Sequence, residues 1–358
     1  MNQGGTARWL EKLSKGLIAA GWNSVIVAGE VEGSEVEDYS FAELNGIKIQ
    51  SLGKGKSLIN DFRALIQIRK IIKDQNPNVI NTHTSKAGVI GRLAASSIIG
   101  SKPRIIHTYH GHLLYGYFSK PITLSIIYIE KFMSLFTSHF IVAGLTVRDD
   151  LIHSGIGFAD KFSIIKPGVD SQPQLDSSEI RSKFGIPKGA IVVSWIGRFE
   201  PIKSPSRVLE LAKTFPHIIF LMAGSGSLYN EIKSNAPENL LLPGWCDANE
   251  IWSGSDIALL TSENEALPIA LIEAGLAGLP SVAENVGSVS EVIRDKKTGI
   301  LCNSHEERTQ ALTLLIEDGA LRSRMGQNAR NHCLGEFNSQ KFIQNHTDVY
   351  RGLRLNEN

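Results

Sequence analysis

The chain has 358 residues, more than one ordinary core holds and enough for two. Its 37 Lys and Arg nearly balance 36 Asp and Glu, which removes any whole-protein attraction to nucleic acid. The three cysteines, Cys246, Cys302 and Cys333, are scattered and lack metal-ligand spacing, so the pattern holds no disulfide framework and no structural zinc site and suits a reducing compartment.

The start, "MNQGGTARWLEKL", has no apolar leader, and no later run is long and uncharged enough to span a bilayer, so a cytoplasmic protein is expected. Gly4 and Gly5 open the first helical pattern, "TARWLEKLSKGLIAAG". They offer unhindered N–H groups to a phosphate or sugar, or else form a plain N-cap turn. In a doubly wound half a strand precedes such a glycine turn. Only Met1, Asn2 and Gln3 stand there, so the first strand is expected to be missing.

Strand patterns follow at 24–29, 47–52, 78–83, 104–109 and 139–144, with helical patterns between them. A second set lies at 190–197, 217–224, 239–244, 257–262, 280–285 and 299–303. Runs such as "IIFLMA" are apolar throughout, which means burial on both faces of a parallel sheet. Between the sets, "KPGVDSQPQLDSSEI" is rich in Pro, Gly, Ser and Asp and reads as a linker. The expected class is α/β, with two Rossmann-like domains at 1–168 and 169–338 and a cleft between them. A last helical segment within 339–358 is expected to cross back onto the first domain.

Four stretches of the second half carry candidate chemistry. In "GRFEPIKS", Arg198 and Lys203 follow a strand and stand near a helix start, where cations oppose the helix dipole unless an anion is bound; a diphosphate clamp answers that. In "MAGSGSLYNEI", Gly224 and Gly226 resemble part of a dinucleotide fingerprint, with Tyr229 where a third glycine would stand. Gly244 and Trp245 end the next strand, as a wall for a base or as a tight turn beside a packed indole. The segment 264–282, "NEALPIALIEAGLAGLPSV", has one charge from Ala266 to Val282, the carboxylate of Glu273. An ionised group in apolar surroundings needs a partner. Pro268 suits a first helical turn, and the free N–H groups near Leu267 to Ala270 would seat an anionic or hydroxylated ligand, with Ala266, Leu267 and Pro268 lining it and Glu265 and Glu273 accepting from sugar hydroxyls. A nearby Arg or backbone amide could equally satisfy Glu273.

In the first half, histidines gather at His83, His107, His110 and His112 without carboxylate or cysteine company, so a metal site is not expected. Strand alternation sends His107 and His110 to opposite faces. His110, at a strand's carboxyl end, stands where ligands collect in open α/β sheets.

In their order and spacing these segments resemble the group 1, or family 4, retaining glycosyltransferases of the two-domain GT-B fold. The resemblance rests on Glu265 and Glu273 separated by seven residues, on Arg198 and Lys203, and on "GGTARWLEKLSKGLIAAGW", "THTSKAGVIGRLAA" and "TYHGH". It implies that Arg198 and Lys203 bind the donor diphosphate, Glu273 the ribose hydroxyls, and Glu265 the transferred sugar. His110 is implied to lie against that sugar, and Gly5 to approach the phosphates. The first domain becomes the acceptor side, with a glycan or lipid-linked saccharide as acceptor, a nucleotide sugar such as a UDP-sugar as donor, and bacterial surface polysaccharide, O-antigen or capsule as context. Ala266 and Ser288 stand where family members often carry glycine, and Gly144 where serine is usual. No cofactor and, with no Asp-x-Asp in the chain, no metal is expected.

Two rivals remain open: a sugar-nucleotide epimerase of the same architecture, and a non-catalytic homologue crippled by the missing strand. The apolar stretch "HLLYGYFSKPITLSIIYIEKFMSLF" reads either as a buried interdomain helix or as a surface for peripheral attachment to the inner membrane.

Overall fold

The computed structural model describes residues 5–31, 44, 46–53, 55, 57–100, 102–111, 119–172 and 175–355. Two compact units divide them, one made of the described residues up to Gly168 together with those from Ser339 on, the other of Val169–Asn338.

The first unit opens with helix α1 (Gly5–Ala19), whose Ala7, Trp9, Leu13 and Leu17 form one buried stripe. Strands β1 (Val27–Gly29) and β2 (Ile47–Ile49) pair in parallel, Val27 opposite Ile47. Helix α2 (Leu58–Gln75) begins at Ser57, whose hydroxyl accepts from the Asn60 N–H, and ends at Asn76 in the left-handed conformation, φ 42°. Then come β3 (Val79–His83), α3 (Ser85–Ser96), β4 (Arg104–Tyr109), α4 (Lys120–Ser134), β5 (His139–Val142), α5 (Leu145–His153) and β6 (Phe162–Ile164). Strands β3 to β6 form a parallel sheet in chain order. The β1–β2 pair is a separate ladder, so β1 and β3 each have one edge without a strand partner among the described residues.

Helix α3 sits close on this sheet because Gly91 leaves room for the Thr82 methyl, which would lie 2.9 Å from a Cβ there. Arg92 of α3 is wholly buried and forks onto both carboxylate oxygens of Glu130 in α4 at 2.9 Å, while the Tyr109 hydroxyl donates to the same carboxylate at 2.6 Å. Glu130 thus turns α4 inward along one stripe only. The reading of this helix as buried is corrected: Leu124, Tyr128 and Phe132, on its other side, are 55%, 69% and 54% exposed.

The second unit holds α6 (Ser177–Lys183), β7 (Val192–Ile196), α7 (Pro205–Thr214), β8 (Ile219–Ala223), α8 (Tyr229–Ser234), β9 (Leu240–Gly244), α9 (Ala248–Ser253) and β10 (Ile257–Leu260). It continues through α10 (Ile269–Leu276), β11 (Ser281–Glu284), α11 (Val289–Val292), β12 (Gly299–Cys302), α12 (His305–Glu317) and α13 (Gly319–Glu336). All six strands are parallel, in the order β12-β11-β10-β7-β8-β9. The chain starts at the centre with β7, runs outward to β9, then returns to β10 on the other side of β7. Strand order therefore reverses between β7 and β10, the place where open α/β sheets bind ligands at the strands' carboxyl ends. Trp195, Phe220, Met222 and Leu259 join Val208 and Leu211 of α7 and Leu312 and Leu315 of α12 in one core.

The shortage of charge in 266–282 follows from α10 being clasped: Gly275 lies against Cys333 of α13, and Gly326 of α13 against the Gly278 carbonyl. Glu273, on the side of α10 away from Gly275, is half-buried and not sunk in an apolar interior, which corrects the sequence reading of a stranded acid. The last helix, α14 (Ser339–Leu355), joins the first unit, where Lys12 donates to Ser339 Oγ at 2.9 Å and Asn81 of β3 donates to the Tyr350 hydroxyl at 2.8 Å.

Candidate active site

In the second unit the candidate residues gather on the loops at the carboxyl ends of β7, β8, β9 and β10. Arg198 leaves β7 on an exposed loop. Pro201–Lys203 makes one tight turn, and Ser204 follows in the left-handed conformation, φ 45°, before α7. This turn is sewn to the loop after β10. The Glu263 N–H donates to the Ile202 carbonyl at 2.8 Å, and Ser204 Oγ donates to the Glu263 carboxylate at 3.0 Å. The Thr261 hydroxyl accepts from the buried Trp195 indole N–H at 3.1 Å and faces the Lys203 and Ser204 carbonyl oxygens at 3.0 and 3.1 Å. Arg207 of α7 donates to the Thr261 carbonyl at 3.1 Å and pairs with Glu263 at 2.5 Å.

These ties deliver Lys203 to Glu265. Its ammonium lies 2.6 Å from Glu265 Oε1, to which the Ser262 hydroxyl also donates at 2.6 Å. Glu265 is 8% exposed and its carbonyl accepts from the Ser288 N–H at 3.1 Å. A buried carboxylate is thus held by one cation and one hydroxyl, at the point where strand order reverses. Ala266, Leu267 and Pro268 are buried in the turn that follows, and Pro268 is the cap before α10 rather than its first turn. The Ile269 and Ala270 N–H groups point from the helix start as donors that the helix itself cannot satisfy. Glu273 stands one turn further along.

Gly224, φ 139°, and Gly226, φ 152°, hold backbone conformations that side chains rarely adopt. A Cβ on Gly226 would lie 2.7 Å from backbone atoms of Phe199, and one on Gly224 would strike the Gly197 carbonyl. These glycines let the β8 loop nest into the Arg198 loop, where the Phe199 N–H donates to the Ser225 carbonyl at 2.9 Å. Ser227 donates to the Glu200 carboxylate through its N–H and hydroxyl, bonds that hold that carboxyl below its usual range, with the Arg198 charge adding to them. Gly244, φ 83°, ends the outermost strand β9, and Trp245 beside it is 67% exposed.

In the first unit, His110 directly follows β4. Its Nε2 lies 2.8 Å from Nδ1 of His83, so one ring donates and the other accepts. The Trp9 ring meets His110 edge-on at 5.2 Å and His346 of α14 at 5.6 Å. His346 donates Nδ1–H to the Phe342 carbonyl at 2.8 Å, while its buried Nε2 has no hydrogen-bond partner among the described residues. Burial, helped by the other histidines, pushes His110 down to about 3 and holds His83 well below its usual value. Burial alone pushes His346 down to about 4. All three are neutral near pH 7. Thr84, next to His83, is held at φ 63° and ψ 166°, a conformation that costs about 1–3 kcal/mol. His107 instead lies inside the sheet, bonded to the Thr82 hydroxyl at 2.8 Å.

Gly5 is the exposed first residue of α1; Gly4 and His112 lie outside the described residues. No three His, Cys, Asp or Glu side chains gather to hold a metal ion among the described residues. Sequence reasoning missed Thr261 and Arg207, which bond across the fold, Ser262, which reaches Glu265 three positions on, and His346, whose ring meets Trp9; none stands in a motif.

Comparison with known proteins gives the family. Residues 3–172 match the family described as Glycosyltransferase Family 4, and residues 176–332 that described as Glycosyl transferases group 1. Its two halves belong to these glycosyltransferase families. The glycosyltransferase is 28% identical over 345 residues to the Escherichia coli UDP-Gal:alpha-D-GlcNAc-diphosphoundecaprenol alpha-1,3-galactosyltransferase, covering 91% of this chain and 88% of that one. It is 24% identical to the Bacillus anthracis N-acetyl-alpha-D-glucosaminyl L-malate synthase, covering 81% and 78%. Its fold is that of the GT-B enzymes. Sucrose-phosphate synthase from Thermosynechococcus elongatus superposes with a TM-score of 0.86 at 17% identity, covering 99% of this chain and 94% of that one. Anabaena HepE, solved with UDP and glucose, gives 0.80 at 17% identity, with coverage of 98% and 96%.

Proposed function

We propose that this glycosyltransferase moves a sugar from a UDP-sugar to a lipid-linked saccharide with retention at the anomeric carbon, in the building of a bacterial surface polysaccharide. The observation that carries the reading is Lys203 fixed on the buried Glu265 carboxylate where strand order reverses. The lipid acceptor and the uridine base are carried over from what the Escherichia coli and Anabaena relatives are named for.

The bond from the anomeric carbon to the diphosphate oxygen breaks. A bond from the same carbon to the acceptor oxygen forms on the same face, and the acceptor proton passes to the departing diphosphate. Leaving-group charge dominates that barrier, and Arg198 and Lys203 neutralise it without a metal. The Ile269 and Ala270 N–H groups and the Glu265 carboxylate bind the transferred sugar's hydroxyls; Glu273 takes the ribose hydroxyls. In the first unit His110, kept neutral, is a hydrogen-bonding group for a hydroxylated ligand that adds no charge. Trp245 offers its exposed ring to the base.

The test is turnover by Lys203→Ala and Arg198→Ala with UDP-sugars and a saccharide-diphospholipid acceptor. Each loses about 2 to 4 kcal/mol of barrier lowering, roughly thirty- to a thousandfold in rate, while both variants remain folded; Lys203→Ala, which strips buried Glu265 of its cation, unfolds at a lower temperature. An unaltered rate in either would remove the clamp. Epimer formed from the donor without acceptor would instead favour the epimerase.

A further inference from the structure

We infer that the outward face of α4 is an interfacial anchor that lies in an anionic lipid surface. Its apolar residues are on the wrong side for a core. Ile122, Leu124, Tyr128, Ile129, Phe132 and Leu135 are between 47% and 75% exposed, and at 3.6 residues per turn they share one broad face. The acid of this helix, Glu130, points the opposite way into Arg92 and Tyr109, so no carboxylate of α4 shares the outward face. Lys120 and Lys131 border it, both exposed, with the Lys131 ammonium 5.8 Å from the Tyr128 ring centre.

The neighbouring elements extend the pattern. α2 packs on α3 and α3 on α4. α2 exposes Leu58, Ile59, Phe62 and Ile66, from 51% to 88%, beside exposed Arg63 and Lys70. Of its two acids, Asp61 is paired with Lys86 at 2.6 Å, and Asp74 is exposed in the last turn.

This combination selects its occupant. The outward face of α4, apolar, bordered by Lys120 and Lys131 and without a carboxylate of its own helix, matches an anionic leaflet, where each cation gains from the surface potential while the rings enter the acyl boundary. A second copy docked face to face would set like charges against each other. At 15 residues α4 is about 22 Å long, too short to cross a bilayer, so it lies in the plane of the interface. The inference rests on the lipid-acceptor reading only for its purpose, since the attachment needs neither donor nor acceptor.

The experiment is flotation of the full chain with vesicles of phosphatidylethanolamine and phosphatidylglycerol, and with phosphatidylcholine alone, free of saccharide lipid. The protein should float with the anionic vesicles, and less so as salt rises. Leu124→Ser combined with Phe132→Ser should weaken this about tenfold or more, leaving circular dichroism and turnover of a water-soluble acceptor unchanged. Lys120→Glu combined with Lys131→Glu, which alters only exposed side chains, should weaken it as well. The inference is overturned if the protein does not float, if both double variants float like the unaltered chain, or if the chain elutes as a dimer that Leu124→Ser and Phe132→Ser dissociate. Loss of turnover without loss of flotation would count against the catalytic reading alone.

Discussion

Thr261 shows how one hydroxyl can govern a charge it does not touch. It accepts the Trp195 N–H and faces the carbonyls of Lys203 and Ser204, fixing the turn that carries the Lys203 ammonium to Glu265. Thr261→Val keeps the shape and removes the bond. The stranded indole N–H should cost about 1–3 kcal/mol of stability, read by urea unfolding. Because the lysine backbone loosens, kcat should fall more than KM rises, and Thr261→Ser should restore both; an unchanged kcat in the valine variant would remove the positioning role.

Among elements, α3 and α4 are joined to β4 by the Arg92, Glu130 and Tyr109 network, all three buried. Glu130→Ala leaves a guanidinium without its counter-charge in the interior and should cost about 3–5 kcal/mol by urea unfolding. Arg92→Met together with Glu130→Leu should recover most of that loss. None of this was visible in the local pattern, because Arg92 and Glu130 are separated by 38 positions and each looks like an ordinary surface charge. The strands were legible, since runs such as "IIFLMA" and "IALL" announce burial on both faces by composition alone. β6 was missed because it spans three half-buried residues at the sheet edge, too short for any period.

The candidate site was legible to the same extent. Arg198, Lys203 and Glu265 stand out as charges at strand ends. The pairing of Lys203 with Glu265, 62 positions apart, needed the fold, as did the use of Gly224 and Gly226 to seat one loop on another. An apolar helix also looks buried from its sequence; only the inward turn of Glu130 reveals which side of α4 meets solvent.

At the scale of the molecule, the neutral histidines set an acid limit. His83, His110 and His346 all have folded pKa values below the 6.5 of the free side chain, so the unfolded chain binds more protons once pH falls below it. Stability is complete above about pH 6.5 and is lost progressively toward pH 3. Urea midpoints should fall from about pH 7 to about pH 5. His346→Phe should make that fall shallower, and an equal slope in this variant would exclude His346 as a contributor.

The split in the first unit's sheet has its own outcome. Among the described residues three rungs join β1 to β2 and none joins either to β3, and Val27 and Ile49 share one apolar cluster with Ala64 and Ile68 of α2. A two-stranded ribbon this short is marginal alone. With fewer ladder bonds than the four-stranded block, the amides of Val27–Gly29 and Ile47–Ile49 are expected to exchange with deuterium before those of β4 and β5.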